Sequence, residues 1–129
     1  MKNKVILVVE DEKPLLEAIK IKLEKRGFDV VTSRSIEQAK DYAQDLKQID
    51  AIWLDHYLLG KENGLDFVVW CKEGENPRCK DTPIFLVSNT ATPDKVTTYL
   101  SLGIEKYFVK SSHKLDDIIN DVVGSLLEK

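Results

Sequence analysis

The sequence predicts an α/β domain in which five helices cover a doubly wound sheet of five parallel strands. Five short aliphatic runs alternate along the chain with five longer segments whose apolar residues recur at helical spacing. Such alternation favours a parallel sheet with right-handed crossovers and helices on both faces. The compact arrangement of five such strands has the order 2-1-3-4-5, which follows from a general rule for open sheets rather than from any one residue.

The composition is that of an ordinary globular domain. The 129 residues are 43% hydrophobic and 32% charged, with a net charge of −3, and we expect residues 1–129 to form one domain. A small acidic excess argues against direct nucleic-acid binding, and no apolar run approaches the ~18 residues of a membrane span. The N-terminus lacks a signal-peptide pattern, so a cytoplasmic location is expected. In that compartment Cys71 and Cys79 are expected to be free thiols.

The first half of the chain is predicted to contain three strands and two helices. Runs of β-branched and other aliphatic residues place the strands at Val5–Val9, Phe28–Thr32 and Ile49–Leu54. Pro14 suits the first turn of the first helix, which Gly27 ends. Ser35, with Gln38 three residues later, is a capping-box pattern that opens the second helix. The apolar faces consist of Leu15, Leu16, Ile19 and Leu23 in the first helix and Ala39, Tyr42, Ala43 and Leu46 in the second.

The second half is predicted to contain three helices and two strands. The third helix is expected at Leu65–Lys72, followed by an exposed polar loop at 74–82. The two strands are expected at Ile84–Val87 and Tyr107–Val109. Thr92 and Pro93 suit the N-cap and first position of the fourth helix, which Gly103 ends. Ser112 is expected to cap the last helix. The inward residues are predicted to be Val96, Tyr99 and Leu100 in the fourth helix and Leu115, Ile118, Ile119, Val122 and Leu126 in the last.

Charged and polar side chains follow four of the five predicted strands. Glu10 and Asp11 follow the first strand, Asp55 the third, Ser88 the fourth and Lys110 the fifth. Because parallel strands share one carboxyl edge, we expect these side chains to converge. Three carboxylates in one pocket repel unless a cation neutralises them, and Mg²⁺ prefers such oxygen ligands. The set suits phosphoryl transfer to a carboxylate, where positioning and charge neutralisation supply most of the catalysis.

These motifs together resemble the receiver domain of two-component response regulators, the CheY-like, flavodoxin-like fold. The resemblance depends on the stretch from Val8 to Glu12, on Asp55 at the end of the third strand, on Gly64-Leu65 at the next helix, and on Ser88 and Lys110. It covers essentially the whole chain, and each motif falls at the expected strand end in the expected order.

The resemblance implies a role for each of these residues. Asp55 corresponds to the phosphoacceptor, and Lys110 to the lysine that contacts the phosphoryl group. The implied Mg²⁺ ligands are Glu10, Asp11, Asp55 and the backbone carbonyl of Tyr57. Ser88 corresponds to the switch hydroxyl and Tyr107 to the switch aromatic, which turns inward when the hydroxyl moves.

The resemblance also implies a phosphorelay function. A sensor histidine kinase or a phosphotransfer protein would donate the phosphoryl group to Asp55. The surface of helix 4, strand 5 and helix 5 would then change its binding of a downstream effector. Such a domain catalyses its own phosphorylation and dephosphorylation but is not a turnover enzyme, and we expect a monomer or a weak homodimer.

Departures from the family pattern keep other functions under consideration. Ser111 stands where a proline usually follows the lysine, and Asn89 replaces a small residue, so a degenerate receiver acting as a constitutive protein-interaction adaptor is the alternative. Retention of every charged residue argues against it. An aspartate-nucleophile phosphatase usually carries a second aspartate at the position of Tyr57, so this function is disfavoured. A flavodoxin-type flavin binder is also disfavoured, because its phosphate loop is rich in Ser, Thr and Gly, whereas residues 10–12 of this chain are acidic. His56 is expected to point away from the site by strand alternation.

Overall fold

Five parallel strands form a single sheet in the computed structural model, which describes residues 3–56, 63–74, 79–89 and 92–127. The strands are β1 (Val5–Val9), β2 (Asp29–Ser33), β3 (Ala51–Leu54), β4 (Ile84–Ser88) and β5 (Lys106–Val109). Their order in the sheet is β2-β1-β3-β4-β5. The predicted fold class and strand order are therefore confirmed, with strand ends that differ from the predicted ones by one or two residues.

Five helices connect the strands. They are α1 (Lys13–Lys25), α2 (Ile36–Asp45), α3 (Gly64–Glu73), α4 (Pro93–Ser101) and α5 (Leu115–Leu127). The side chain of Ser35 accepts a hydrogen bond from the backbone N–H of Gln38, and Thr92 caps α4 in the same way through Lys95. Gly27 and Gly103 follow α1 and α4 with a φ of 92°, a left-handed conformation that glycine adopts without strain.

The sheet separates two apolar layers. On one face, α1 and α5 pack through Leu16, Ile19, Leu23, Ile118, Ile119, Val122, Val123 and Leu126. On the other face, α2, α3 and α4 pack through Ile36, Ala39, Ala43, Phe67, Val68, Cys71 and Tyr99. The central strands are buried on both faces, because alternate side chains of β1, β3 and β4 enter opposite layers. This packing holds the carboxyl edge of the sheet in a fixed position.

Two predictions about the helices are wrong. Leu100 was expected to point inward, but 50% of its surface is exposed, because α4 turns only Tyr99 fully into the core. Ser112 was expected to cap α5, but it belongs to a short 3-10 turn, Lys110–Ser112, and α5 begins at Leu115. That turn carries the chain from the sheet edge to the helix.

The prediction of free thiols is also wrong. Cys71, near the end of α3, and Cys79, in the loop before β4, form a disulfide, and their Cα atoms lie 5.3 Å apart. Both side chains are buried, although the loop was expected to be exposed. The loop folds back onto α3 at this point, where Lys72 donates hydrogen bonds to the backbone carbonyls of Lys80 and Thr82. Within the described ranges, none of the helices has the length and apolar character needed to cross a membrane.

Candidate functional site

The register of the sheet brings the ends of β1 and β3 side by side. Val9 pairs with Leu54, and the backbone N–H of Asp55 donates to the carbonyl of Val9 at 3.0 Å. The N–H of Glu10 donates to the carbonyl of Ser33 at the end of β2, also at 3.0 Å. Backbone bonds between neighbouring strands therefore fix Glu10 and Asp55 at the same edge, as predicted from the strand order.

Three carboxylates form a cluster at this edge. One oxygen from each of Glu10, Asp11 and Asp55 lies within 4.8 Å of the other two. Glu10 and Asp55 are buried, with 1% and 5% of their surfaces exposed, and Asp11 is half-buried. Lys110 reaches the cluster from the end of β5, with its Nζ 2.7 Å from Oε1 of Glu10 and 3.2 Å from Oδ2 of Asp55. The structure thus brings together four of the residues singled out in the sequence.

The pKa of Glu10 reports the electrostatic balance of the cluster. Burial raises this pKa to about 7, although the hydrogen bond from Lys110 lowers it; the negative charge of Asp55 adds to the increase. The backbone N–H of Glu12 donates to Oε2 of Glu10 at 3.2 Å and also favours the ionised form. Because the pKa stays high despite these two donors, the combined effect of burial and of the Asp55 charge outweighs both hydrogen bonds.

Lys110 stays protonated at the site. Burial disfavours its charge, but the hydrogen bonds and negative charges of Glu10 and Asp55 outweigh burial and raise its pKa. The described residues contain no cis peptide bond, so Lys110 contacts both acids without the cis bond that a following proline would favour. The chain continues from Lys110 through a 3-10 turn, Lys110–Ser112, towards α5.

The cluster has the chemistry of a divalent-cation site. Three carboxylates facing one ammonium leave an excess of negative charge, and a hard divalent ion with oxygen ligands would balance it. Burial is the largest cause of the raised pKa of Glu10, and the negative charge of Asp55 adds to it. The predicted carbonyl ligand, Tyr57, lies outside the described residues. The donor set that the structure describes therefore fits Mg²⁺.

Ser88 and Tyr107 lie on the two strands beyond β3. Ser88 ends β4 and is fully buried, and its Oγ has no hydrogen-bond partner in the described part of the chain. An unsatisfied buried hydroxyl costs free energy, and an incoming acceptor oxygen would remove that cost. Tyr107, on β5, is half-buried, and its ring contacts the ring of Tyr99 with centroids 5.8 Å apart. The switch roles assigned to Ser88 and Tyr107 stay predictions.

The sequence reasoning missed two residues that contact this region. Nε and Nη2 of Arg34, at 3.1 and 2.8 Å, both donate to the backbone carbonyl of Asp11 and hold the loop that carries this acid. Arg34 follows β2, which is the neighbour of β1 in the sheet, and this position could have indicated that Arg34 lies near Asp11. Tyr99 was assigned only to the core, but its hydroxyl forms a hydrogen bond with Nδ1 of His56. No local pattern in the sequence indicates that contact.

Comparisons with known proteins agree with this geometry. The family model described as the response regulator receiver domain matches residues 6–122. Among curated relatives, the alkaline phosphatase synthesis transcriptional regulatory protein PhoP of Bacillus subtilis is 33% identical over 108 residues, which are 84% of this chain and 42% of that protein. The chain thus spans less than half the length of that relative.

Two solved structures are also similar. The phosphorylated cyanobacterial phytochrome response regulator RcpA matches with a TM-score of 0.79 and 26% identity, covering 95% of this chain and 91% of that one. The Mn²⁺-bound form of the response regulator Rcp1 matches with a TM-score of 0.77 and 26% identity, covering 94% and 90%. With the family model, the identity to PhoP and the acidic cluster in agreement, the chain belongs to the response regulator receiver domain family, whose members are signalling domains.

Proposed function

We propose that residues 1–129 act as one phosphoacceptor receiver domain of a two-component phosphorelay. The domain acts in the cytoplasm, where a sensor histidine kinase or a phosphotransfer protein donates the phosphoryl group and Asp55 accepts it. The observation that carries the proposal is the buried Asp55 carboxylate within one cluster with Glu10, Asp11 and the ammonium of Lys110. The domain catalyses its own phosphorylation and dephosphorylation and does not turn over a separate substrate.

Asp55 is the nucleophile in this proposal. A carboxylate oxygen of Asp55 forms a bond to phosphorus while the bond from phosphorus to the donor's imidazole nitrogen breaks, and that nitrogen leaves with a proton from solvent. The product is an acyl phosphate on Asp55. Hydrolysis of this acyl phosphate by water later restores the carboxylate and ends the signal.

Lys110 and Ser88 stabilise the transferred group. The ammonium of Lys110 lies 3.2 Å from Asp55 and is positioned to neutralise the negative charge of phosphoryl oxygens. The unpartnered Oγ of Ser88 donates a hydrogen bond to the group once it has arrived. Both contacts add to the charge balance that phosphoryl transfer requires.

Mg²⁺ is the proposed cofactor, held by Glu10, Asp11, Asp55 and the backbone carbonyl of Tyr57. When bound, Mg²⁺ would neutralise carboxylate charge and accept a phosphoryl oxygen as a ligand. The Mn²⁺-bound form of Rcp1 shows that a similar response regulator binds a divalent ion. The carboxylates of this chain bind the ion in their ionised form, so Mg²⁺ must displace the proton from Glu10 below its raised pKa, and the affinity should fall there.

The output surface is proposed to be α4, β5 and α5. Movement of the Ser88 hydroxyl towards the phosphoryl group frees space, and Tyr107 turns inward to fill it. A downstream effector then binds the changed surface, and the domain acts as a monomer or a weak homodimer without direct contact to nucleic acid.

Intact-protein mass spectrometry tests the proposal. Purified protein is incubated with Mg²⁺ and acetyl phosphate, a small acyl-phosphate donor, with Asp55→Asn as the matched control. We expect the mass of one phosphoryl group on the wild type and none on Asp55→Asn. Chelation of Mg²⁺ is expected to abolish the gain, because the carboxylates then repel the donor.

Three results would contradict the proposal. No mass gain with any acyl-phosphate or phosphohistidine donor would favour the constitutive adaptor. A mass gain that persists in Asp55→Asn would show that another residue accepts the phosphoryl group. Turnover of an aryl phosphate far beyond one equivalent would instead indicate a phosphatase.

A further inference from the structure

Helix α4 turns few of its side chains fully into the core. Among its residues, all of which the structure describes, only Tyr99 is fully buried, and the adjacent Leu100 is half exposed. A helix anchored by one side chain gains little hydrophobic stabilisation in any one position, so it shifts at low cost. Whatever controls Tyr99 therefore controls α4.

The hydroxyl of Tyr99 contacts His56, the residue that follows Asp55. A hydrogen bond joins it to Nδ1 of His56, and both side chains are buried. The two rings meet edge to face, with centroids 5.7 Å apart and planes at 86°. Burial lowers the pKa of His56, which favours the neutral ring and keeps one nitrogen able to accept a hydrogen bond.

Gly64 shows how closely the backbone packs around this hydroxyl. The N–H of Gly64 donates to the carbonyl of His56 at 2.9 Å, which returns the chain to α3 after the loop. A Cβ atom at position 64 would lie 3.0 Å from the Tyr99 hydroxyl and 2.8 Å from the backbone carbonyl of Asp55. The backbone at Gly64 therefore lies close both to the Tyr99 hydroxyl and to the backbone of Asp55 and His56.

The contact continues from Tyr99 to β5. The ring of Tyr99 meets the ring of Tyr107 with centroids 5.8 Å apart and planes at 65°. We use the term acceptor loop for Asp55 and His56, the described residues that follow β3. Contacts thus run without a break from His56 of the acceptor loop through Tyr99 of α4 to Tyr107 of β5. Neither His56 nor Tyr99 belongs to the acid cluster or to the switch pair of Ser88 and Tyr107.

We propose that His56 and Tyr99 are positioning residues that couple the state of Asp55 to the position of α4. This inference rests on the proposed function, because it requires Asp55 to accept a phosphoryl group. When the acceptor loop rearranges around that group, His56 moves with the backbone of Asp55. Tyr99 then either follows, shifting α4, or loses its hydrogen bond to His56, which costs free energy. The arrangements of His56 and Tyr99 before and after phosphorylation would thus correspond to two positions of α4.

Hydrogen exchange of the α4 amides, measured by mass spectrometry with and without acetyl phosphate and Mg²⁺, tests the proposal. In the wild type we expect phosphorylation to change the amide exchange rates of residues 94–101 by about three- to tenfold, the size expected for one buried hydrogen bond. In Tyr99→Phe, which keeps the ring, we expect Asp55 to be phosphorylated as before and the α4 response to be lost. Tyr42→Phe, a tyrosine of α2 in the same apolar layer, is the matched control and should respond like the wild type.

Variants of His56 separate coupling from a purely structural role. His56→Leu removes the acceptor and should reproduce Tyr99→Phe, and adding Tyr99→Phe to His56→Leu should change the response no further, since both remove one bond. His56→Gln keeps an acceptor and should retain part of the response. A structural role alone predicts faster exchange of α4 in the resting protein but an unchanged phosphorylation-dependent difference.

The outcomes distinguish this inference from the proposed function. An undiminished α4 response in Tyr99→Phe, or additive effects of Tyr99→Phe and His56→Leu, would overturn the coupling while leaving the receiver function intact. A wild type that is phosphorylated without any change in α4 would overturn it as well. A wild type that accepts no phosphoryl group would overturn the proposed function, and the coupling with it.

Discussion

The helices that precede and follow β5 are attached to the sheet in contrasting ways. Helix α5 buries five residues: Ile118, Ile119, Val122, Val123 and Leu126. It is also joined to α1 by hydrogen bonds from Lys22 to Asp116 at 2.6 Å and from Arg26 to Asn120 at 2.7 Å. Helix α4 buries only Tyr99. One face of the sheet therefore carries a firmly packed helix pair, whereas α4 depends on a single aromatic side chain.

This difference separates stability from switching. Glu10 and Asp11 lead into α1, and Lys110 leads into α5, so these parts of the acid cluster belong to the firmly packed face. Asp55 is followed by His56, which contacts α4 through Tyr99. Changes on the α1 and α5 side should alter global stability or metal affinity, and changes around His56 should alter the response of α4.

Truncation of a core residue in α5 should have the largest effect on stability. Ile119→Ala removes a buried side chain and is expected to lower the free energy of unfolding by about 2–4 kcal/mol, because it leaves a cavity. Leu100→Ala, the matched truncation on α4, should cost less than about 0.5 kcal/mol, since half of Leu100 is already in water. Urea unfolding of both variants measures the difference. Equal costs would show that α4 is packed as firmly as α5.

Two glycine substitutions should shift stability in opposite directions. Gly64→Ala places a Cβ 2.8 Å from the carbonyl of Asp55 and 3.0 Å from Cα of His56, and backbone atoms yield poorly. We expect a loss of about 1–3 kcal/mol together with slower phosphorylation of Asp55. Gly124→Ala, in α5, meets no atom within 4 Å and should add about 0.5–1 kcal/mol through helix propensity. A neutral Gly64→Ala would mean that the acceptor loop is free to move there.

The titration of Glu10 gives the next effect, confined to the firmly packed face. The pKa of Glu10 is about 7 in the folded chain, and the ordinary value of 4.5 applies in the unfolded chain. Between pH 4.5 and 7 the folded state therefore binds more protons than the unfolded state. The stability that Glu10 contributes is therefore complete below pH 4.5 and is lost as the pH rises through about 7. The slope attributable to this group approaches about −1.4 kcal/mol per pH unit.

Urea unfolding of the wild type and Glu10→Gln across this pH range isolates that slope. The wild type should lose stability relative to Glu10→Gln as the pH rises, because the amide does not ionise. Saturating Mg²⁺ should remove the relative loss, since the ion stabilises the carboxylate, and chelation should restore it. Parallel pH profiles for the two proteins without metal would contradict the raised pKa.

Most of the fold could be predicted because its signals are local. The caps at Ser35 and Thr92 and the ends at Gly27 and Gly103 depend on a few neighbouring residues, and all four agree with the structure. The convergence of the acids followed from strand order alone. Leu100 was assigned wrongly because helical spacing identifies an apolar face but not how much of that face the sheet covers.

Long-range contacts could not be predicted from local patterns. His56 and Tyr99 lie 43 positions apart, so their hydrogen bond depends on how α4 meets the acceptor loop. The pairing of Cys71 with Cys79 depends on the loop folding back onto α3, against the polar character of its sequence. The contribution of Arg34 to the site was missed because its partner is a backbone carbonyl, which leaves no signature in the sequence.

Arg34 gives the smallest expected effect, on metal affinity alone. Arg34→Lys keeps the charge but cannot reproduce the two hydrogen bonds to the carbonyl of Asp11. The loop carrying Asp11 should loosen. Because Arg34 is exposed, Mg²⁺ affinity should fall by no more than about tenfold, the lower limit for a residue that orients a metal ligand. The fluorescence of Trp53, two positions before Asp55, is the readout of the Mg²⁺ titration.

The control for Arg34→Lys is Arg26→Lys, the same exchange at the far end of α1, where the side chain bonds Asn120 instead of the acid loop. It should leave Mg²⁺ affinity unchanged. At saturating Mg²⁺ and acetyl phosphate, Arg34→Lys should retain the full hydrogen-exchange response of α4, because the coupling runs through His56 and not through Asp11. A reduced α4 response in Arg34→Lys would show that the two faces are not separable, and the division between a firmly packed face and a responsive helix would fail.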